Sequence, residues 1–75
     1  MINFLDTINF TRVYNYIGEN YPAHEKVVDK VFKLKNQLIP VEIISYIAEN
    51  IGNSTTDQHR IAEYLYNNCV DREVY

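Results

Sequence analysis

The sequence has no tryptophan, a single cysteine, two glycines and two prolines in 75 residues. Each scarcity removes a class of architecture. Cys69 has no second cysteine to bond, which excludes an internally bridged secreted scaffold and makes a reducing, cytoplasmic setting the expectation. An all-β domain needs a turn signal about every 8–12 residues, and so few breakers imply few, long elements instead. There is no glycine-rich loop to cradle phosphate. No apolar run nears the roughly 18 residues of a membrane span. Residues 1–10 lack the basic start and unbroken apolar stretch of a signal peptide, so a non-membrane chain that keeps its first residues is expected.

A basic excess is missing as well. Seven Lys and Arg against ten Asp and Glu leave a net charge of −3, a field that repels phosphate backbones and disfavours nucleic acid as a partner. The acidity is too slight to suggest a nucleic-acid mimic.

What is present fits a globular domain: 47% hydrophobic and 23% charged residues, unlike the charge-rich mixtures that stay disordered. At this length folding removes only about 60% of the unfolded surface, so one thin core is all the chain can support. Asn, Ile, Tyr and Lys are abundant, as A+T-rich codon usage produces, which points toward a phage or low-GC bacterial source.

Hydrophobic spacing predicts four helices in a single domain over 1–75. Phe10, Val13, Tyr14, Ile17 and Tyr21 recur at three and four residues, giving a first helix over roughly 5–20 with Asn3, Asp6 or Asn9 as cap and Gly18 and the Tyr21–Pro22 step as its end. Pro22 suits a first turn, and Val27, Val31, Leu34 and Leu38, flanked by Val28 and Phe32, predict a second helix over 22–38. Lys26, Lys30 and Lys33 share its opposite side with Asp29, spaced to pair with Lys33. Pro40 restarts the pattern for a third helix over 40–51, with Ile44, Ile47, Ala48 and Ile51 inside and Gly52 as the stop. Thr55 and Gln58 fit a capping box for a fourth helix over 55–69, with Ile61, Ala62, Leu65 and Cys69 inward. The expectation is an all-α, compact bundle without significant β-sheet.

Chemistry is sparse. His24-Glu25 begins like a zinc-protease motif, but the i+4 position that should be histidine is Val28. His59 and Glu63 offer two ligands on one helix face, short of the four a zinc site needs. Cys69 falls on an apolar stripe and reads as core, and Glu42, Glu49 and Glu63 are spread over separate turns as on ordinary solvated faces. No catalytic, cofactor or metal site is expected.

The compositional oddity is seven tyrosines. Pairs such as Tyr14/Tyr16 and Tyr64/Tyr66 point to different sides of a helix, so Tyr14, Tyr16, Tyr21, Tyr46, Tyr64, Tyr66 and Tyr75 cannot all be core. Tyrosine combines contact area, a polar tip and little rotamer entropy, the properties that enrich it at recognition surfaces. Tyr16, Tyr46 and Tyr66 are expected to be exposed and, with Ile43, to form a partner-binding face. Ile2, Phe4, Phe32 and Ile43 are additional apolar material for a symmetric homodimer.

Two local resemblances fall in residues 41–74. Val41 to Asn50, with Ser54-Thr55-Thr56 and Arg60 to Leu65, resembles the first two helices of a winged helix-turn-helix domain. That resemblance implies a recognition helix and a β-wing to follow, for which only Asp71 to Tyr75 remain. Ile39-Pro40, Ile44 and Tyr46 to Ile51 are similar to the helical lid of bacterial replication-initiator ATPases. Neither spans half the chain. The function expected is therefore a small non-enzymatic protein-binding domain, an inhibitor or adaptor of the kind phages and mobile elements encode. The alternative is a nucleic-acid-binding regulator that uses residues 41–75 as a truncated helix-turn-helix and Lys26, Lys30 and Lys33 for phosphate contacts.

Overall fold

A computed structural model describes residues 6–71. In chain order it contains β1 (Thr7–Ile8), α1 (Phe10–Asn20), one turn of 3-10 helix (Pro22–His24), α2 (Glu25–Lys33), α3 (Pro40–Ile51), α4 (Thr55–Asn68) and β2 (Val70–Asp71). The all-α expectation holds. The only addition among the described residues is a two-stranded antiparallel ribbon that sets Thr7 opposite Asp71 and Ile8 opposite Val70.

α3 has the bounds its sequence predicts, because both ends are fixed by backbone chemistry. Ile39 precedes a proline and is extended, with φ −80° and ψ 158°, the geometry that the proline ring imposes on its predecessor. The Ile39 N–H donates to Glu42 Oε1 at 3.1 Å, satisfying a backbone group that the helix start would leave unpaired. At the other end the Gly52 N–H donates to the Ala48 carbonyl at 2.9 Å. Gly52 has φ −64°, so a left-handed conformation is not what selects glycine here. Space is: a Cβ would lie 2.8 Å from the Gln58 amide nitrogen and 2.9 Å from the Ala48 oxygen, and would collide with Gln58 Cγ. The first turn of α4 folds back too closely for any side chain.

The other helices are shorter or shifted relative to their predicted ranges. α1 starts at Phe10 rather than near residue 5, because the Asn9 side chain caps it by accepting the Arg12 N–H at 3.2 Å and residues 7–8 are drawn into the ribbon with β2. The alternative cap Asn3, and Leu5, lie outside the described residues. Gly18 does not end α1, which continues through Asn20.

α2 differs most from its prediction over 22–38. It is a 3-10 turn and then an α-helix that stops at Lys33. Leu34, Lys35 and Gln37 donate their amides to Val31, Phe32 and Leu34, which are i→i−3 bonds. These tight turns bring the chain to the extended Ile39 that Pro40 requires, and a helix running to Leu38 leaves no residues for that reversal. α4 is capped by Ser54 instead of Thr55, with Ser54 Oγ accepting the Asp57 N–H at 3.1 Å, and it ends at Asn68 with Cys69 as its C-cap.

The core is Val13 and Ile17 of α1, Val28 and Val31 of α2, Ile43, Ile44, Ile47, Ala48 and Ile51 of α3, Ile61 and Leu65 of α4, and Cys69. The shortest dimension of the molecule is 19 Å, about two helix diameters, so one layer of side chains between helices serves as the whole interior. Each member therefore matters: truncating Ile47 to alanine costs about 2–5 kcal/mol by the usual scale for buried aliphatic residues.

The two glycines respond oppositely to alanine. Gly52→Ala overpacks a backbone junction and lowers unfolding free energy by about 1–3 kcal/mol. At Gly18 the added Cβ meets only Glu25 Oε1, at 2.9 Å, the movable end of a surface side chain. Gly18→Ala therefore stabilises by about 0.5–1 kcal/mol through helix propensity. Urea denaturation of the two variants measures both signs.

Candidate functional site

Tyr14, Tyr16, Tyr21, Tyr46 and Tyr66 sit partly buried at the border of this thin core. Tyr14 on α1 donates its hydroxyl to Asp29 Oδ1 on α2 at 2.6 Å. Tyr21, just past α1, donates to Asp57 Oδ1 in the first turn of α4 at 2.8 Å. Asp57 also accepts the Asn53 N–H through Oδ2 at 3.0 Å, so one carboxylate anchors the α3–α4 connection and receives α1. Tyr16 stacks on Tyr64 with ring centroids 3.9 Å apart and planes 12° from parallel, and Tyr21 meets the Tyr16 ring edge-on at 6.2 Å. These contacts carry the union of α1 with α4.

The same union is closed at the far end of α4. The Asn9 N–H donates to the Cys69 carbonyl at 2.7 Å, and Arg12 Nη1 donates to the Asn68 carbonyl at 3.0 Å. A cation on the last carbonyls of a helix also complements its dipole. Cys69 is fully buried, as its place on the apolar stripe predicts. Burial pushes its thiol up from 9.0, with the Arg12 charge acting in the opposite direction, so thiolate chemistry is suppressed.

Of the residues predicted to bind a partner, Ile43 requires correction. It is 3% exposed and belongs to the core, because it stands four residues before Ile47 and eight before Ile51 and so shares their buried face. Tyr16, Tyr46 and Tyr66 were expected to be exposed and are half-buried against the core. The structure does not gather them: they lie on α1, α3 and α4, with Tyr16 engaged by Tyr64 and Tyr46 beneath the Lys30 ammonium at 5.8 Å. The exposed tyrosine of these helices is Tyr64, at 39%. Ile2, Phe4 and Tyr75 lie outside the described residues.

Lys26, Lys30 and Lys33 are exposed together on α2, as their spacing predicts. Asp29, expected to pair with Lys33, accepts the Tyr14 hydroxyl. His24 is half-buried as the last residue of the 3-10 turn, while His59 and Glu63 are exposed on α4. No group of three or more His, Cys, Asp or Glu side chains that could hold a metal ion occurs among the described residues. No helix among them is long and apolar enough to cross a membrane.

Two concave regions mark the surface. One is an open groove between α1 and α4, floored by the Tyr16/Tyr64 stack and edged by Asn20, His59, Arg60 and Glu63. The other is a hollow between β1, the start of α1 and the turn into α3, lined by Ile8, Phe10, Leu38, Ile39 and Pro40, with Lys35 and Asp6 as its charged members. Ile39 in this lining is 53% exposed, and two further large apolar side chains near the turn in sequence remain exposed, Phe32 at 41% and Val41 at 38%. Phe32 packs edge-on to Phe10 at 5.1 Å and lies under Lys35 Nζ at 4.4 Å. The spacing that sets Phe32 on the flank of the α2 core stripe is corrected by its exposure, its other expected role being in a dimer. Ile39, Val41 and Lys35 are surface residues that spacing does not single out. The available signal was Pro40, which forces its predecessor out of the helix and so out of the buried stripe. Comparison with family models, curated proteins and solved structures finds no match to this chain.

Tyr14 and Tyr21 report on the α1 unions through their ionisation. The hydrogen bond to Asp29 and burial push Tyr14 up to about 12, and burial and the Asp57 bond push Tyr21 up to about 12, from 10.0. A raised folded-state pKa contributes stability that is fully present below 10 and is lost as pH rises toward 12. For Asp57 the Asn53 amide, and then the Tyr21 hydroxyl, hold the carboxyl below 3.8, so its contribution is present above 3.8 and is lost as pH falls through the depressed value. Tyr21→Phe should weaken both limbs. Tyrosinate absorbance, followed alongside helical circular dichroism from acid to alkali, should show one fewer late-ionising phenol and a shallower stability loss at each extreme than in the parent.

Proposed function

We propose that the chain is a small non-enzymatic protein-binding domain, acting as an inhibitor or adaptor of the kind phages and mobile elements encode. The observation that carries this reading is the grouping of Phe32, Ile39 and Val41, exposed at 41%, 53% and 38%, on either side of one turn. Single exposed apolar residues are ordinary on any soluble protein. Three fall within ten residues, Ile39 lining a hollow with Ile8, Phe10 and Leu38 and Phe32 packed on that Phe10, and clustered apolar exposure of this kind marks contact surfaces. The tyrosine-bearing face enters in reduced form. Tyr64 on Tyr16 is a rigid aromatic step at the surface, whereas Tyr14 and Tyr21 bond carboxylates inside the fold. A partner that covers the turn removes apolar surface from water at about 25 cal/mol per Å². It orders little in return, because Phe32 is already held by Phe10 and Lys35.

The test is affinity capture with the full chain from a candidate host lysate, read by mass spectrometry, beside Phe32→Ser, Ile39→Ser and Tyr64→Ser variants. The expected result is a reproducible partner whose recovery falls at least tenfold for Phe32→Ser or Ile39→Ser, truncations of the hot-spot kind, while helical circular dichroism is unchanged. Equal recovery by all variants would move the surface away from the turn.

A further inference from the structure

Of the nine asparagines in this chain, Asn53 alone is followed by serine, and every other has a larger successor. A small successor leaves its backbone nitrogen open to attack the asparagine side chain. The fold sharpens this difference. Asn15, Asn50 and Asn67 lie inside helices, where the next amide is held in the backbone ladder. After Asn20, Asn36 and Asn68, the amides of Tyr21, Gln37 and Cys69 donate to the carbonyls of Ile17, Leu34 and Leu65. Asn9 is itself held, its side chain accepting the Arg12 N–H, and the bulk of Phe10 shields the next nitrogen. Asn3 lies outside the described residues. Asn53 is exposed in the connection between α3 and α4. Among the described residues, neither its side-chain amide nor the Ser54 N–H has a hydrogen-bond partner.

We propose that Asn53 is a deamidation site whose conversion loosens the union of α1 with α4. The Ser54 nitrogen attacks Asn53 Cγ. An N–C bond forms, the Cγ–Nδ2 bond breaks, and ammonia departs with the proton that the Ser54 amide gives up. Water then adds to either carbonyl of the five-membered imide and opens it, to aspartate or to isoaspartate, in which the main chain runs through Cβ and Cγ. Water is the only co-reactant. The place of the reaction gives it an effect. Asp57 accepts the Asn53 N–H at 3.0 Å and the Tyr21 hydroxyl at 2.8 Å, while Ser54 Oγ accepts the Asp57 N–H at 3.1 Å. Both products add a carboxylate to the turn that already holds Asp57, where like charges repel. Isoaspartate also lengthens the main chain by one carbon between residue 53 and Ser54, so the cap on α4 and the Asp57 bond to residue 53 no longer close over the same span. Weakening at Asp57 passes through Tyr21 to α1. This inference is independent of the protein-binding reading, which concerns the turn between α2 and α3.

The full chain is incubated in mildly alkaline buffer at physiological temperature and sampled over weeks. Digests are mapped by mass spectrometry, isoaspartate is labelled by its methyltransferase, and each sample is unfolded in urea. Expected is the amide-to-acid mass gain at residue 53 before any other asparagine, with isoaspartate among the products and a urea midpoint that falls as the converted fraction grows. Asn53→Gln should keep its midpoint over the same period, because its longer side chain closes a six-membered ring far more slowly. A chain incubated unfolded in urea should lose part of its selectivity for residue 53, since the amides after Asn20, Asn36 and Asn68 are released. Acid appearing first at another asparagine of the folded chain overturns the site, as does an unconverted residue 53 while an unstructured Asn-Ser peptide converts. Undiminished selectivity in urea overturns the part of the fold in choosing it. A midpoint that falls equally in Asn53→Gln, or holds while residue 53 converts, overturns the assigned effect.

Discussion

Burial of one broad face of α3 is the constraint around which this molecule is arranged. Pro40, Ile43, Ile44, Ile47, Ala48 and Ile51 of α3 are all buried, and α2 and α4 pack on that helix from the positions where its two ends release them. Those ends leave no freedom. The pre-proline Ile39 dictates the direction from which α2 arrives, and the absent side chain at Gly52 lets α4 turn back within three residues. In a chain too short for a second layer of core, placing one aliphatic helix at the centre buries the most apolar surface for each residue ordered.

The tyrosines answer the problem that this leaves at the rim. A thin core has a long boundary, and boundary residues must be apolar toward the interior and polar toward water. Phenols meet both demands: Tyr14 and Tyr21 pack on the core and pass their hydroxyls to Asp29 and Asp57 on neighbouring helices. Asp57 thereby joins three segments, accepting from Asn53 before α4 and from Tyr21 after α1 while its own amide is capped by Ser54. An abundance that suggests a recognition surface is in large part a set of ties between helices, and the free apolar surface lies at the turn between α2 and α3.

Much of the fold was legible because helical spacing repeats within each segment. Val13 and Ile17, Val28 and Val31, Ile44 and Ile47, and Ile61 and Leu65 are the buried pairs that periodicity selects, and α3 matches residue for residue. What periodicity misses is decided between segments. Leu34 and Leu38 continue the stripe of α2, yet tight turns and the extended Ile39 end the helix at Lys33. Asn9 caps α1 where Asp6 had equal local standing, since the pairing of β1 with β2 depends on residues more than sixty positions apart. Ile43, by contrast, stands four residues before Ile47, and its burial follows the same helical spacing. The site was less legible than the fold: a side chain left exposed by a turn carries no period of its own.

The seam between α1 and α4 has a consequence for the order of assembly. Neighbouring helices α2, α3 and α4 meet through short connections, whereas the bonds from Tyr21 to Asp57 and from Arg12 to Asn68 close loops of 36 and 56 residues. Loop-closure entropy delays contacts of that kind until most of the chain is already ordered. The α1–α4 seam is thus the contact that loop closure disfavours early, whereas α1 is tied to α2 across only 15 residues by Tyr14 and Asp29.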